Sequence, residues 1–330
     1  MNADPQRTDT AKRGAVRQDL RHLAQVAFFV LFVAAPVFDL LRYDLVAGHA
    51  WFLGMEWHVG FDDYSAGRIG LGEITGNVLL RIFVPILGVG AALLLVAWRW
   101  GRLYCGWLCP HFSVVETINR LMLRALGKPS LWDDRRLPPR EPDGTPIRFD
   151  RRWWLVTVPL AVAFAFVWAV VLLTYLLPPF EVYANLLAGS PTRNQAIFIT
   201  AGTVVLSLEF LFARHLFCRF ACAVGLFQSL AWMGNRSAMV VGFARERGAD
   251  CGDCYAACNH VCPMRLKPRT VKQLMFTCTQ CAQCVSACET TQRDNPSGPL
   301  LQWVGQEAAR QNEAVMSARR PGWQEDAAWN

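Results

Sequence analysis

The sequence carries little charge and few histidines. Charged residues make up only 18% of the 330 residues, hydrophobic residues make up 53%, and there are six histidines. It shows no glycine-rich phosphate loop, hydrolytic triad, paired-carboxylate arrangement or basic-aromatic nucleic-acid motif. These absences argue against hydrolytic, nucleotide-dependent and nucleic-acid-binding functions, and we predict no catalytic residue. The mean hydropathy of +0.21 points instead to the lipid bilayer.

Four long apolar runs predict transmembrane helices. Each is close to the ~17–25 residues that a helix needs to cross the hydrocarbon. The runs cover residues 23–41, 78–98, 153–177 and 196–213. We therefore expect an α-helical membrane protein with four transmembrane helices, and the alternative is that the weaker runs are buried helices of a soluble protein.

The basic residues predict the orientation of these helices. Of the 33 Lys and Arg residues, 29 lie before the first run, between the second and third runs, or after the fourth. The positive-inside rule then places both termini in the cytoplasm of a multi-pass inner-membrane protein. The first 21 residues lack a small-residue cleavage site and read as a cytoplasmic tail, whose arginines we expect to contact anionic headgroups.

The twelve cysteines all fall into four tight groups between Cys105 and Cys288. A disulfide framework would scatter its partners through the loops, whereas a metal site gathers thiolates locally. The predicted orientation puts every thiol in the reducing compartment, where thiolates remain available as ligands. Placement therefore favours metal binding over disulfides.

Eight cysteines follow the duplicated bacterial ferredoxin spacing. One run reads C-x2-C-x3-C-x3-C-P and the other C-x2-C-x2-C-x3-C. A 4Fe-4S cluster takes three thiolates from one run and the fourth from the other, so the spacing predicts two clusters in a bacterial-type 2x[4Fe-4S] ferredoxin-like domain. The predicted ligands are Cys251, Cys254, Cys258 and Cys288 for one cluster, and Cys278, Cys281, Cys284 and Cys262 for the other. Tetrahedral zinc is the alternative.

The other four cysteines form two CxxxC pairs, Cys105 with Cys109 and Cys218 with Cys222. Residues four apart share a helix face, so each pair can present two sulfurs at the membrane surface. Together they could hold a third Fe-S cluster, a Cu(I) ion or a redox-active thiol pair, or they are small helix-end residues. In the loop between the first two runs, His49, Met55 and His58 could host copper or quinol, but the sequence favours ordinary solvated side chains.

The motifs divide the chain into five parts. We expect a cytoplasmic N-terminal tail (1–22), a four-helix membrane domain with the CxxxCP motif (23–215), a linker with the second CxxxC (216–250), a di-cluster ferredoxin domain (251–303) and a C-terminal tail (304–330). Trp303, Trp323 and Trp329 indicate that this last tail is amphipathic.

The chain resembles the membrane polyferredoxins of the CcoG/RdxA/FixG family, accessory proteins of cbb-type cytochrome oxidase, and more distantly NapH and NosR. The resemblance rests on the segment from Gly101 to Pro110 with Glu116, residues 217–229, residues 245–248, and the ferredoxin runs up to Trp303. It implies single-electron transfer through two 4Fe-4S clusters. For CcoG it further implies copper reduction, and for NapH-like members transfer of quinol electrons towards a periplasmic reductase.

The sequence departs from the CcoG pattern at two places. Ala223 follows Cys222 where the family usually has proline, and the chain stops soon after Trp303, so we expect no final span and no extracytoplasmic immunoglobulin-like domain. We therefore expect an electron-transfer oxidoreductase component that supports a respiratory chain or the maturation of a respiratory oxidase. The alternatives are a Cu(II)-reducing assembly factor and a quinol dehydrogenase subunit. The expected partners are the lipid membrane and redox proteins, with quinol or copper ions under the alternatives, and no nucleic acid.

Overall fold

The computed structural model describes residues 5–128, 131, 136–213, 215–252 and 254–318, with side chains from Gly14 onward. This part of the chain is mostly helical and contains two small antiparallel sheets. Trp323 and Trp329 of the predicted amphipathic tail lie outside the described residues.

The elements alternate long apolar helices with short helices and strands. The helices are α1 (Pro5–Ala34), α2 (Phe61–Ser65), α3 (Leu71–Val78), α4 (Val84–Trp100), α5 (Leu103–Trp107), α6 (Pro110–Leu126), α7 (Trp154–Thr174), α8 (Pro179–Leu187), α9 (Arg193–Leu208), α10 (Ala223–Gly234), α11 (Ala257–His260), α12 (Gln283–Thr291) and α13 (Glu307–Ser317). The strands are β1 (Leu41–Asp44), β2 (His49–Phe52), β3 (Met55–Trp57), β4 (Val240–Phe243) and β5 (Leu301–Val304). Turns of π-helix cover Leu79–Phe83, Glu209–Ala213 and Phe217–Ala221, and turns of 3-10 helix cover Arg151–Trp153, Arg245–Cys251 and Lys272–Met275.

Three helical segments are long and apolar enough to cross a bilayer. They are Leu71–Trp100, Arg151–Thr174 and Arg193–Ala213, with 30, 24 and 21 residues. A span of the hydrocarbon core needs about 20 residues. The segments coincide with the second, third and fourth predicted runs, so a helical membrane protein with at least these three candidate spans is supported.

The first apolar run does not form the predicted helix over its full length. Helix α1 ends at Ala34, and β1 begins at Leu41, where the predicted helix was to end. Pro36 explains the early end, because proline cannot donate a backbone hydrogen bond and disfavours helical geometry at the residue before it. The apolar part of α1 starts at Leu23 and extends only about 18 Å at 1.5 Å per residue, against a core of about 30 Å. A fourth span therefore stays a prediction.

One compact unit comprises residues 27–93 and 158–211. Its sheet has the order β1-β2-β3, with Asp44 opposite His49 and Ala50 opposite Trp57. Helices α7 and α9 approach closely, since a Cβ on Gly202 would lie 3.1 Å from the Cβ of Ala169. The buried apolar contacts nearby involve Val170, Leu173, Val182 and Ile199.

The other compact unit comprises residues 1–26, 94–157 and 212–330 and holds all twelve cysteines. Strand β4 pairs antiparallel with β5, and the pairs run from Val240 with Val304 to Phe243 with Leu301. The sheet, Trp232 of α10 and Val285 of α12 build the core, into which several cysteines are packed. The ferredoxin runs and both CxxxC segments therefore fold together in one compact unit.

Candidate metal centres

The first ferredoxin run winds through a left-handed turn into a short helix. Tyr255 and Ala256 have φ values of 48° and 54°, and α11 begins at the next residue. This turn directs the backbone N–H groups of Ala256 and Ala257 to the sulfur of Cys254. Backbone amides that point at sulfur stabilise the thiolate form that metals bind.

The second run repeats this geometry. Gln280 and Ala282 have φ values of 53° and 59°, and α12 begins immediately afterwards. The backbone N–H of Gln280 donates to the sulfur of Cys278, and that of Gln283 donates to Cys281. Left-handed backbone at residues other than glycine costs about 1 kcal/mol or more per residue, so its recurrence in both runs marks a functional constraint.

Cys251, Cys254, Cys258 and Cys288 lie together and form what we call the first ferredoxin group. The Cys251 thiol donates to Cys254 and lowers its pKa to about 6. Burial, opposed by Arg269 and reinforced by charge repulsion from Cys254 and Cys288, raises the pKa of Cys258 to about 11. Cys288, contributed by the second run, also accepts the backbone N–H of Leu300 at 3.3 Å. Cys288 of the second run therefore lies beside Cys254 and Cys258 of the first, and its role as a cluster ligand stays a prediction.

Cys262, Cys278, Cys281 and Cys284 form the second ferredoxin group. All four line one small cavity with apolar neighbours that include Val241 and Met275. Burial raises the pKa values of Cys262 and Cys278 to about 12, and repulsion from neighbouring thiols adds to the effect. A buried cavity lined by four thiols fits a sulfur-ligated group, which would relieve their desolvation through metal–thiolate bonds.

The remaining thiols form the CxxxC group. Cys105 and Cys109 follow one candidate span on α5 and the loop before α6, and Cys218 and Cys222 follow another around a π-helical turn. Burial raises the pKa of Cys109 to about 11, with further repulsion from Cys105 and Cys222. Cys218 is buried with Phe112 and Met264, and Cys109 and Cys262 pack against the same cluster. The fold thus brings Cys105 and Cys218, which are 113 positions apart in the sequence, to one site.

Arg102 is the cation of the CxxxC group. Its side chain is 1% exposed, and its Nη2 lies 3.0 Å from the carbonyl oxygen of Cys218 and 3.7 Å from the Sγ of Cys105. A Cβ on Gly225 would lie 2.3 Å from the same Nη2, so glycine leaves the space that the guanidinium occupies. Burial raises the pKa of Cys105, and the Arg102 charge opposes this effect. Arg102 therefore favours thiolate at this group.

A buried ion pair lies between the CxxxC group and the second ferredoxin group. Arg21 is fully buried and donates to both oxygens of Glu116 at 2.8 and 2.6 Å and to the carbonyl of Gly106 at 3.2 Å. Gln283, between Cys281 and Cys284, also donates to Glu116. Burial would raise the pKa of Glu116, but Arg21, together with Arg120 at 2.7 Å, outweighs it and lowers the pKa to about 2.

The CxxxC segment and the second ferredoxin run are in direct backbone contact. A Cβ on Gly106 would lie 2.3 Å from the carbonyl oxygen of Thr279 and 3.3 Å from the Cα of Cys281. The indole N–H of Trp107 donates to the carbonyl of Gln280 at 3.0 Å. The CxxxC segment therefore packs against the loop that carries Cys278 and Cys281, with no side chain between them at Gly106.

Sequence reasoning missed the charged residues around the thiols. The sequence predicts that the N-terminal arginines contact lipid headgroups. In the structure, Arg21 instead forms a buried ion pair with Glu116, and Arg17 pairs with Glu289 at 2.8 Å. Nothing in a tail that mixes Asp and Arg marks one arginine as buried, and only tertiary packing reveals it. Arg102 lies inside the segment that carries the family resemblance, so the resemblance was the available signal.

Comparison with known proteins points the same way. A family model described as a 4Fe-4S binding domain matches residues 82–129 and 194–237, the segments that carry the CxxxC group. The putative electron transport protein YccM of Escherichia coli is 26% identical over 62% of this chain and 55% of its own length. The methylamine utilization ferredoxin-type proteins MauN of Paracoccus denitrificans and Methylorubrum extorquens are 24% and 28% identical, over 72% and 75% of this chain and 74% and 77% of theirs. No solved structure matches.

These findings support a polyferredoxin. The shared features are 4Fe-4S binding and ferredoxin-type electron transport, and they do not single out the CcoG/FixG branch expected from the sequence. The chain spans only about half the length of YccM.

Proposed function

We propose that this protein carries single electrons along three iron-sulfur centres in one compact unit, at the cytoplasmic face of the inner membrane. The two ferredoxin groups would each hold a 4Fe-4S cluster through the ligands predicted above. The CxxxC group would hold a third, because the family model for 4Fe-4S binding matches its two segments. When bound, such a cluster takes up and releases one electron at a time.

The observation that carries the proposal is that the second ferredoxin group contacts both of the other thiol groups. The CxxxC group touches the second ferredoxin group at Gly106 and through the cluster that contains Cys218 and Cys262. Cys262 in turn belongs to the same run as Cys258 of the first ferredoxin group, and the charge of Cys258 raises the pKa values of Cys262 and Cys284 in the second group. The groups therefore form a line, and electrons would pass along it in either direction.

The two ends of the line face different surroundings. The CxxxC thiols directly follow two candidate spans, which suits exchange with a membrane-bound partner. At the other end, Cys254 is half-buried and Tyr255 beside it is 71% exposed. We infer that a soluble redox partner exchanges electrons at this end.

The chain's own residues prepare the sites. Arg102 places a buried cation on the CxxxC group, and backbone N–H groups donate to the ferredoxin sulfurs. Both arrangements favour thiolate and tune the potential of a bound cluster. Arg21 and Glu116 position the CxxxC segment against the second ferredoxin loop without contacting sulfur themselves.

Metal analysis and redox-titrated EPR of anaerobically extracted protein test the proposal. Three clusters require about twelve irons per chain, and reduction should give interacting S = 1/2 signals. A preparation that holds only zinc would overturn it. Eight irons with bound copper would instead favour the copper-handling alternative at the CxxxC group.

A further inference from the structure

The hairpin of β2 and β3 carries two histidines and a glutamate on one face. Ala50 pairs with Trp57, so one residue further along the ladder His49 stands opposite His58. Glu56 is two residues before His58 and therefore shares its face of the hairpin. The strand register thus places three metal-ligating side chain types at one point.

The side chains converge as the register requires. The imidazole centroids of His49 and His58 are 4.5 Å apart, and the Nε2 of His58 lies 2.9 Å from the Oε2 of Glu56. One ligand atom from each of the three side chains lies within 4.8 Å of the other two. Ligand atoms at this separation need only small rotations about side-chain bonds to meet one ion.

His49 is oriented as a metal ligand. Its Nδ1 lies 3.2 Å from the carbonyl oxygen of Ala47, which can only accept, so Nδ1 carries the proton and Nε2 carries the lone pair. That Nε2 is buried and has no hydrogen-bond partner among the described residues. A ligating histidine ordinarily donates its other ring N–H to a carbonyl or carboxylate in this way.

The neighbouring groups leave the position open for an ion. Asp44, opposite His49 in β1, is already occupied by Arg42 at 2.8 Å and by the backbone N–H groups of Val46 and Ala47. Its carboxylate is therefore committed to these donors and does not compete for the ion. The exposed side chains of Glu56 and His58 give access from solvent.

We propose that His49, Glu56 and His58 bind one divalent transition-metal ion of the Zn²⁺ type. Two imidazoles and one carboxylate suit an ion of this class and leave a fourth position for water or a small ligand. The site uses none of the thiols and lies in the compact unit of residues 27–93 and 158–211. It gives the protein a metal-binding function separate from electron transfer.

Zinc titration of the detergent-solubilised holoprotein, with its clusters intact, tests the site. We expect one Zn²⁺ per chain by calorimetry and a zinc K-edge spectrum with nitrogen and oxygen ligands at ~2.0–2.1 Å. His58→Gln and Glu56→Gln should each weaken binding at least about tenfold, since the loss of an outer-shell partner already costs 10- to 100-fold. Asp62→Asn, which changes an exposed carboxylate of helix α2 in the same compact unit, should leave affinity unchanged.

Two results would overturn the proposal. One is equal zinc affinity in the wild type and in His58→Gln, and the other is a sulfur shell at ~2.3 Å, which would place the zinc on cysteine. Iron content should be the same in all variants. Failure of the zinc site would therefore leave the electron-transfer proposal standing.

Discussion

The ferredoxin groups and the CxxxC group gather their thiols by different means. Each ferredoxin run bends its cysteines together locally, through left-handed residues such as Ala256 and Ala282 followed by a short helix. The CxxxC pairs come from distant segments, which Arg102 links through the carbonyl of Cys218, and the Arg21–Glu116 pair fixes the first of these segments against the second ferredoxin run. Local geometry thus specifies the first kind of site, and buried charge specifies the second.

The largest expected effect comes from Arg21→Met. Removing one partner of a buried ion pair costs about 3–5 kcal/mol when the other charge stays buried without compensation. Glu116 would keep only the half-exposed Arg120 as a cation, at 2.7 Å, so we expect a loss near the lower end of this range. We expect this loss in the free energy of unfolding measured by denaturant, together with loss of iron from the CxxxC group before the first ferredoxin group.

Two variants control this prediction. The double variant Arg21→Met with Glu116→Gln should recover part of the loss, since no unpaired charge remains buried and water can solvate the half-exposed Arg120. Arg293→Ala breaks an exposed pair with Asp294, at 3.8 Å, and should change stability by less than about 0.5 kcal/mol. Equal effects of Arg21→Met and Arg293→Ala would erase the contrast between the two kinds of site.

Gly106→Ala should separate the CxxxC group from the second ferredoxin group. The new Cβ would lie 2.3 Å from the carbonyl oxygen of Thr279, and such overpacking costs about 1–3 kcal/mol. The measurement is the magnetic interaction between reduced centres by EPR, which should weaken. Gly234→Ala, where a Cβ meets nothing within 4 Å, should leave both the interaction and the stability unchanged.

Arg102→Met should shift the midpoint potential of the CxxxC centre downwards, by an amount on the order of tens of millivolts. The guanidinium lies 3.7 Å from the sulfur of Cys105 and favours the more negative, reduced state. Arg102→Lys keeps the charge and should restore most of the potential. An unchanged potential in Arg102→Met would mean that the cation only shapes the backbone.

The smallest effect is a pH dependence at Lys272. Burial lowers its pKa to about 8, with Glu313 opposing the shift, while its ammonium donates to the carbonyls of Trp232 and Asn235. Between pH 8 and the ordinary lysine pKa near 10.5 the unfolded chain binds the extra proton, so stability rises with pH in this window. The wild type should gain roughly 1 kcal/mol or less per pH unit relative to Lys272→Met in denaturant titrations. Parallel curves would contradict the shift.

The sequence predicts much of this molecule where the signal is local. Cysteine spacing pairs Cys288 with the first run, and apolar runs locate three candidate spans. The sequence does not predict the features that depend on tertiary packing. Pro36 ends α1 early, and Arg21 is buried although its neighbours in sequence are polar. The sequence singles out His49 and His58 but sets them aside and does not identify Glu56, because only the β2–β3 register brings the three residues together.

Iron quantification on Cys105→Ser with Cys109→Ser tests the central claim most directly. Three centres predict about twelve irons per wild-type chain and about eight in this double variant, with both ferredoxin signals retained in EPR. A wild type and a variant that both contain about eight irons would show that the CxxxC group holds no cluster.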